Sequence, residues 1–403
     1  MSFRRRGEIV SGPTSQLVGA RAPSSLISRA TPNRGAGEYV SRAASAGGTP
    51  KRNSENALAN HVGVKPSILT SQPCISTGSS DIDSVLGHQG LPLGSSLLIE
   101  ETGTTDFAST LTKLFLAQGI AHNRINPSQP NTHDVLVGLD QNWAKGFPGI
   151  YKGSKERKKE KVQQNESKVS VSNIVNQNND LKIAWRYGLN QRKNESHDDT
   201  IDQYPHYNNQ FDITSVLTVA PGPHELTCIP NDNFSRILKR IEDTVIKQPS
   251  KIVRIAVPLF LNPLVYQNET SAPEILRFVH GLKQILKKYP NQVALFMTIN
   301  LDLYPRNNPL IGYIELLFDS VIELRPFDPQ LHDLMERVYK NQPAKLKHGH
   351  LNVYKLPILS ESGLMCVQEM EYSFKNGRRR FEIEKWSIPV EDEETTDDKK
   401  LEF

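Results

Sequence analysis

The chain has 403 residues, 37% of them hydrophobic, with 48 Lys and Arg against 44 Asp and Glu and a negative mean hydropathy. That length supports one large folded body with tails, and the low apolar fraction places part of the chain outside any core. Three distant cysteines, Cys74, Cys228 and Cys366, without C-x-x-C spacing, exclude a disulfide framework and a thiolate zinc site, and no metal is expected.

The net charge of +4 is unevenly placed. Residues 1–60 hold nine Lys/Arg against three Glu, residues 151–168 hold seven against three, and residues 390–403 hold seven Asp/Glu against two Lys. The basicity therefore belongs to a tail and an insertion, not to the body. Met1–Arg6 is followed by no apolar run, so no secretory leader is expected. The most apolar stretch, Val253–Tyr266, is broken by Pro258, Asn262 and Pro263 and falls short of the roughly 18 residues a membrane helix needs. The expectation is a soluble protein of the cytoplasm and nucleus.

In chain order, residues 1–65 read as a disordered basic tail rich in Ser, Ala, Gly, Pro and Arg. Residues 66–389 read as a folded domain, with polar insertions near 152–178 and 190–208, and residues 390–403 as an acidic tail. Leu97-Leu98-Ile99 follows a turn at Pro92-Leu93-Gly94 and predicts a buried strand. Phe107–Gly119 predicts a helix with Leu111, Leu114 and Phe115 on one face and Gly119 as its stop. Val135–Val137 completes a βαβ unit. Leu181–Tyr187 predicts an edge strand between the two insertions.

Alternation then becomes regular. Ile237, Leu238, Ile241 and Val245 form a helical stripe, Val253–Val257 a strand, and Ile275, Val279, Leu282 and Leu286 a second stripe opened by Pro273. Val293–Ile299, a helix from Pro309 through Phe318, and Val321–Leu324 follow. Leu351–Leu356, Cys366–Phe374 and Arg380–Trp386 then read as strands with no helix between them, and Asn376-Gly377 is a hairpin signal. The fold class expected is α/β, a mostly parallel central sheet flanked by helices with a C-terminal antiparallel extension.

The first strand–helix loop carries the chemical information. A phosphate-binding loop reads G-x-x-x-x-G-K-S/T, with glycines that let backbone N–H groups wrap phosphate, a neutralising lysine and a Mg²⁺-binding hydroxyl. Here the register gives Glu101-Thr102-Gly103-Thr104-Thr105-Asp106-Phe107-Ala108. Glu101 and Asp106 replace the outer glycines, Phe107 the lysine and Ala108 the hydroxyl, while Gly103 remains inside the loop. Two carboxylates facing a desolvated polyphosphate would repel it by an amount on the order of several kcal/mol. Asp106 also suits a helix N-cap. Ser109 lies one residue late for a metal, and Asp302 is a lone acid after a strand.

Thr77-Gly78 through Asp83, Leu86-Gly87 and Gly90-Leu91-Pro92-Leu93-Gly94-Ser95 resemble the segment that precedes the phosphate loop in RecA/KaiC-type ATPases, with Ile82 for a leucine and His88-Gln89 interrupting the glycines. With a degenerate loop behind that segment, the chain resembles the Elongator subunit 4, or PAXNEB-type, family. The resemblance also rests on Ser2–Glu8, His61–Ser67, Leu114–Ile120, Gly149–Ser154, Asp180–Tyr187, Gln210–Thr214, Glu336–Lys340 and Phe374–Glu384. It implies a RecA-like fold and a non-catalytic subunit. It further implies a hetero-hexameric ring with Elongator subunits 5 and 6 that binds tRNA and serves the catalytic subcomplex of subunits 1, 2 and 3 in wobble-uridine modification. No cofactor is then bound by this chain alone, with ATP placed at ring interfaces. A RecA-like ATPase with an unorthodox loop and a pure scaffold remain the alternatives.

Candidate tRNA contacts are Lys152, Lys155, Arg157, Lys158 and Lys159 on the first insertion, and Arg378, Arg379 and Arg380 beside the hairpin turn. Phosphate contact there competes with a plain solvated surface. Tyr151, Trp185 and Tyr187 read either as base-stacking or as packing groups.

Overall fold

The computed structural model describes residues 61–151, 153, 204–266, 271–358 and 371–386. Residues 1–60 of the expected N-terminal tail, the acidic tail and the strand expected at Leu181–Tyr187 fall outside these residues, while residues 61–65, expected to be disordered, belong to the fold, with His61 and Val64 buried. Three short strands, β1 (Val64–Pro66), β2 (Pro73–Ile75) and β3 (Leu91–Pro92), form a small antiparallel sheet around α1 (Ser80–Val85). The main body continues with β4 (Ser96–Glu101), α2 (Phe107–Ile125), β5 (Thr132–Val137), α3 (Gln141–Ala144), β6 (Pro148–Ile150), β7 (Phe211–Val216) and β8 (Leu226–Ile229). It ends with α4 (Phe234–Lys247), β9 (Ile252–Phe260), α5 (Ala272–Lys288), β10 (Val293–Asn300), α6 (Pro309–Leu317), β11 (Ser320–Pro326), α7 (Pro329–Val338), β12 (Gly349–Lys355), β13 (Tyr372–Asn376) and β14 (Phe381–Lys385).

Nine strands form one sheet in the order β14-β13-β12-β11-β4-β10-β9-β5-β8. The strands from β11 to β8 are parallel, as the near-continuous apolar runs predict, and β12, β13 and β14 extend the sheet antiparallel. Side chains alternate between the faces. Leu97 and Ile99 of β4 join Leu111, Leu114 and Phe115 of α2 in one core, while Leu98 joins Ile237, Ile241, Phe278 and Leu282 of α4 and α5 in the other. The helices start where their caps dictate. Asn233 accepts from Ser235 N at 3.0 Å before α4, and Asn308 accepts from Leu310 N at 3.0 Å before α6, where Pro309 fills the first turn. Among the described residues, no helix is long and apolar enough to cross a membrane.

Gly119 does not end its helix; α2 continues to Ile125. A Cβ at Gly119 would lie 2.3 Å from Asp134 Oδ1 and 3.0 Å from Arg254 Cδ, so the glycine makes room for these two buried side chains. Asp134 and Arg254 occupy paired positions on β5 and β9, each 1% exposed. The Arg254 guanidinium stacks on Phe115 and donates to Phe115 O and Ser76 O, both at 2.9 Å. Beside it, Asp83 accepts from Ser76 Oγ at 2.6 Å, Thr77 N and Thr77 Oγ1 at 2.7 Å, and Asn208 Nδ2 at 2.9 Å. Burial raises the Asp83 pKa to about 6 against those donors. The Thr77–Ser95 segment is thus welded to α2 and β9.

Tyr207, at the end of the polar tract, is packed rather than solvated, while Pro205 and His206 beside it are exposed. Tyr207 is 6% exposed, its hydroxyl donates to Gln89 O at 2.8 Å, and its carbonyl accepts from Gln118 Nε2 at 2.9 Å. Strands β6, β7 and β8 and helix α7 have no counterpart in the sequence-based expectation. The expected Cys366–Phe374 strand is β13, with residues 366–370 outside the described residues.

Candidate functional site

β4 lies inside the parallel sheet between β10 and β11, and the crossovers that follow β4 and β10 place α2 on one face and α6 on the other. Ligands of open α/β sheets sit at the carboxyl ends of strands at such a point. The loop there is pinned by Thr102 N donating to Leu324 O at 3.0 Å, and Gly103 supplies a φ of +97°.

Glu101 occupies the anion position of this loop. Its carboxylate accepts from Phe107 N at 2.9 Å, Ala108 N at 3.0 Å and Thr105 Oγ1 at 2.7 Å. Phe107 N and Ala108 N are among the orphan donors at the start of α2, the groups that would meet a phosphate. Burial at 3% exposure raises the Glu101 pKa, and these three donors oppose the shift. Asp106 is exposed at the N-cap position, and its charge adds to the rise at Glu101. The two helix-start N–H groups that a phosphate would use are thus occupied by the chain's own carboxylate.

The remaining loop residues are committed elsewhere. Phe107 packs on the C-terminal hairpin, 5.1 Å from the Phe374 ring and 6.4 Å from Phe381. Ala108 and Ser109 are buried in the helix. Asp302 is an exposed turn residue whose N–H bonds Asn300 Oδ1 at 2.8 Å.

A second carboxylate group, not anticipated from the sequence, lies on the opposite face of the same strand end. Glu100 is fully buried and pairs with Arg306, whose Nη1 is 3.2 Å from Glu315 and whose guanidinium stacks 3.5 Å from the Tyr354 ring centre. Glu323 accepts from Thr102 Oγ1 at 3.1 Å, Asn352 Nδ2 at 3.0 Å and Tyr354 Oη at 2.7 Å. Burial pushes Glu100 well above the usual carboxylate range, with Arg306 opposing and Glu315 reinforcing. Burial also raises Glu323, but Asn352, Tyr354, Arg306 and Thr102 outweigh it and hold that carboxyl low. The sequence signal was a Glu-Glu pair ending an apolar strand, which sends one acid to each face.

The basic candidates divide. Lys152, Lys155, Arg157, Lys158 and Lys159 lie outside the described residues, as do Trp185 and Tyr187. Arg378, Arg379 and Arg380 are exposed at the β13–β14 turn, where Gly377 N donates to Arg380 O at 2.9 Å. Arg380 lies 5.5 Å over the Tyr151 ring and donates to Gln210 Oε1 at 3.3 Å, while Arg379 O accepts from Ile213 N at 2.9 Å. The fold thereby sets the arginine turn against Tyr151, the residue immediately before Lys152. His348 and His350 serve different neighbours: His348 lies beside Phe107, and His350 packs edge-on against Phe327 and Trp386.

The profile of the PAXNEB protein family matches residues 57–402, and the chain is 43% identical to Elongator complex protein 4 of Saccharomyces cerevisiae, covering 98% of this chain and 93% of that protein. The chain belongs to the PAXNEB family. This PAXNEB chain is also 28% identical to Elongator complex protein 4 of Schizosaccharomyces pombe, over 84% of its length and 91% of the relative. It is 25% identical to the Homo sapiens protein of the same name, over 82% and 80%. The degenerate loop, the Phe107 contact and the arginine turn all fall inside the matched PAXNEB region.

Proposed function

We propose that this chain is a non-catalytic component of an Elongator complex. In this reading it takes the place of the fourth subunit in a RecA-like hetero-hexameric ring with the fifth and sixth subunits. That ring binds tRNA and supports the catalytic subcomplex in wobble-uridine modification, in the cytoplasm and nucleus. The observation that carries the reading is Glu101 seated on Phe107 N and Ala108 N, in a chain whose full-length relatives are named Elongator complex protein 4. A loop filled by its own carboxylate supports an accessory role, and any ATP belongs to interfaces with other subunits. The parallel order around β4 supports the RecA-like assignment, and the arginine turn supports contact with RNA.

The test is native mass spectrometry of the tagged chain purified from its own cells, paired with nucleoside analysis of tRNA from cells lacking it. A heterohexamer of related chains and loss of the wobble-uridine modification are expected. A monomer, a homo-hexamer or unchanged modification would overturn the proposal. Saturable Mg-ATP binding by the isolated chain would restore the ATPase alternative.

A further inference from the structure

A cavity of about 490 Å³ opens where β11 hands over to α7, beside β12 and the two open ends of the C-terminal hairpin. That volume lies within the range of small-ligand pockets, roughly 300–1,000 Å³. Three rings form its wall. Phe327, His350 and Trp386 meet edge-on, with centroids 4.8 Å apart for the two pairs that His350 makes and 5.3 Å for Phe327 and Trp386. His350 and Trp386 are half-buried, so both keep surface open to a guest. Burial lowers the His350 pKa, with Glu371 opposing and Arg325 assisting, so this ring carries no charge of its own at neutral pH.

The charges select the guest. Asp328 and Glu371 line the cavity and are exposed, against the single cation Arg325, so one negative charge is left in excess. Neither acid is spent inside the protein. Asp328 makes no side-chain capping bond at the start of α7, and among the described residues neither Asp328 nor Glu371 belongs to an ion pair. Rings beside uncompensated carboxylates favour a cation, and a planar guanidinium stacks on a ring while its N–H groups reach a carboxylate. A phosphate would meet the excess negative charge. Helix α7 shows what carries the cation. Leu331, Leu334 and Val338 recur at i, i+3 and i+7 and share one face. Leu331 lines the cavity, Leu334 and Val338 are 54% and 56% exposed, and Met335 is the buried residue of the helix. An apolar stripe left open beside a pocket for a cation fits a polypeptide rather than a free metabolite.

We propose that this cavity takes an arginine side chain of a protein partner, the guanidinium stacked on Trp386 and bonded to Asp328 or Glu371, with apolar residues of the same partner segment on Leu334 and Val338. The contact is independent of RNA binding, since it lies at the opposite end of the β13–β14 hairpin from the arginine turn.

The test uses the full chain labelled with 5-fluorotryptophan, in which Trp143, Trp185 and Trp386 give separate fluorine signals. The probes are a blocked peptide Leu-Ala-Arg-Ala-Leu and the same peptide with citrulline, which keeps the shape and loses the charge. The arginine peptide is expected to move the Trp386 signal alone, and the citrulline peptide to bind roughly tenfold more weakly. Asp328→Asn with Glu371→Gln is expected to weaken the arginine peptide roughly tenfold, and Arg325→Gln to tighten it about threefold, a gain that misfolding cannot produce. In the assembly purified from cells with a photo-crosslinking residue in place of Leu334, the captured partner segment is expected to contain an arginine, and Asp328→Lys with Glu371→Lys to abolish the capture. Equal binding of the two peptides, or a Trp386 signal that neither moves, would overturn the pocket for a cation. An arginine peptide that binds while Leu334 captures RNA, or no polypeptide, would overturn the protein partner.

Discussion

Replacing Glu101 with alanine is the direct test of the self-filled loop. The substitution strips the acceptors from Phe107 N, Ala108 N and Thr105 Oγ1 at a site where the carboxylate is 3% exposed. Losing an N-cap costs about 0.5–2 kcal/mol, and each buried donor left without a partner costs about 1–3 kcal/mol. These overlap, because the same two N–H groups are counted in both. Part of the bond energy also offsets the desolvation that raises the Glu101 pKa. A net loss of about 2–3 kcal/mol is expected for Glu101→Ala. Glu101→Gln keeps an acceptor of the same length but removes the charge facing the helix dipole, and is expected to lose about 1–2 kcal/mol. Urea unfolding of the full chain reads both as shifts in midpoint at constant slope. An alanine variant within about 0.5 kcal/mol of wild type, the range of an ordinary surface change, would refute the claim that Glu101 holds the start of α2.

Gly78 has a φ of +85°, and a Cβ there would meet Leu114 O at 2.3 Å, so Gly78→Ala is expected to lose about 3 kcal/mol by thermal or chemical denaturation. Arg254→Met strips the buried donors from Phe115 O and Ser76 O and is expected to lose about 3–5 kcal/mol by chemical denaturation. Burial holds His61 near a pKa of about 4 and His122 near about 3, so both stay neutral in the fold while the unfolded chain takes up protons below about 6.5. The stability they contribute is therefore complete above about pH 6.5 and falls as pH drops toward those values, by about 2 kcal/mol per histidine at pH 5. Denaturation series at pH 7 and pH 5 should show this loss, and His122→Gln should reduce its pH dependence.

Much of the fold was readable because local pattern and final position agree. Val253–Val257 and Val293–Ile299 are apolar runs that become interior parallel strands, and Asn376-Gly377 turns the hairpin that the strands on either side require. That the loop holds Phe107 and Ala108 where a phosphate loop has its lysine and hydroxyl was readable from residue type alone. What fills the helix start was not readable. Glu101 reaches backbone donors six and seven positions ahead, a matter of geometry rather than spacing. Gly119 looked like a helix stop because its reason, the space taken by the buried Asp134 and Arg254 side chains, comes from strands distant in sequence. The meeting of Arg380 with Tyr151, and of Glu100 with Arg306, likewise needs the sheet order to exist first.

The Glu101 contact has a consequence for how this subunit takes part in any signal. A ligand tethered to its own site has a fixed effective concentration, independent of metabolite levels in the surroundings. A free anion binds there only by displacing it, and a ligand shifts an equilibrium only through its differential affinity for two states. The start of α2 is thus held in one condition, as if always loaded. Through Phe107 the same condition is imposed on the hairpin that carries the three arginines. In an assembly whose other members respond to nucleotide, this chain would act as a constant against which their changes are measured.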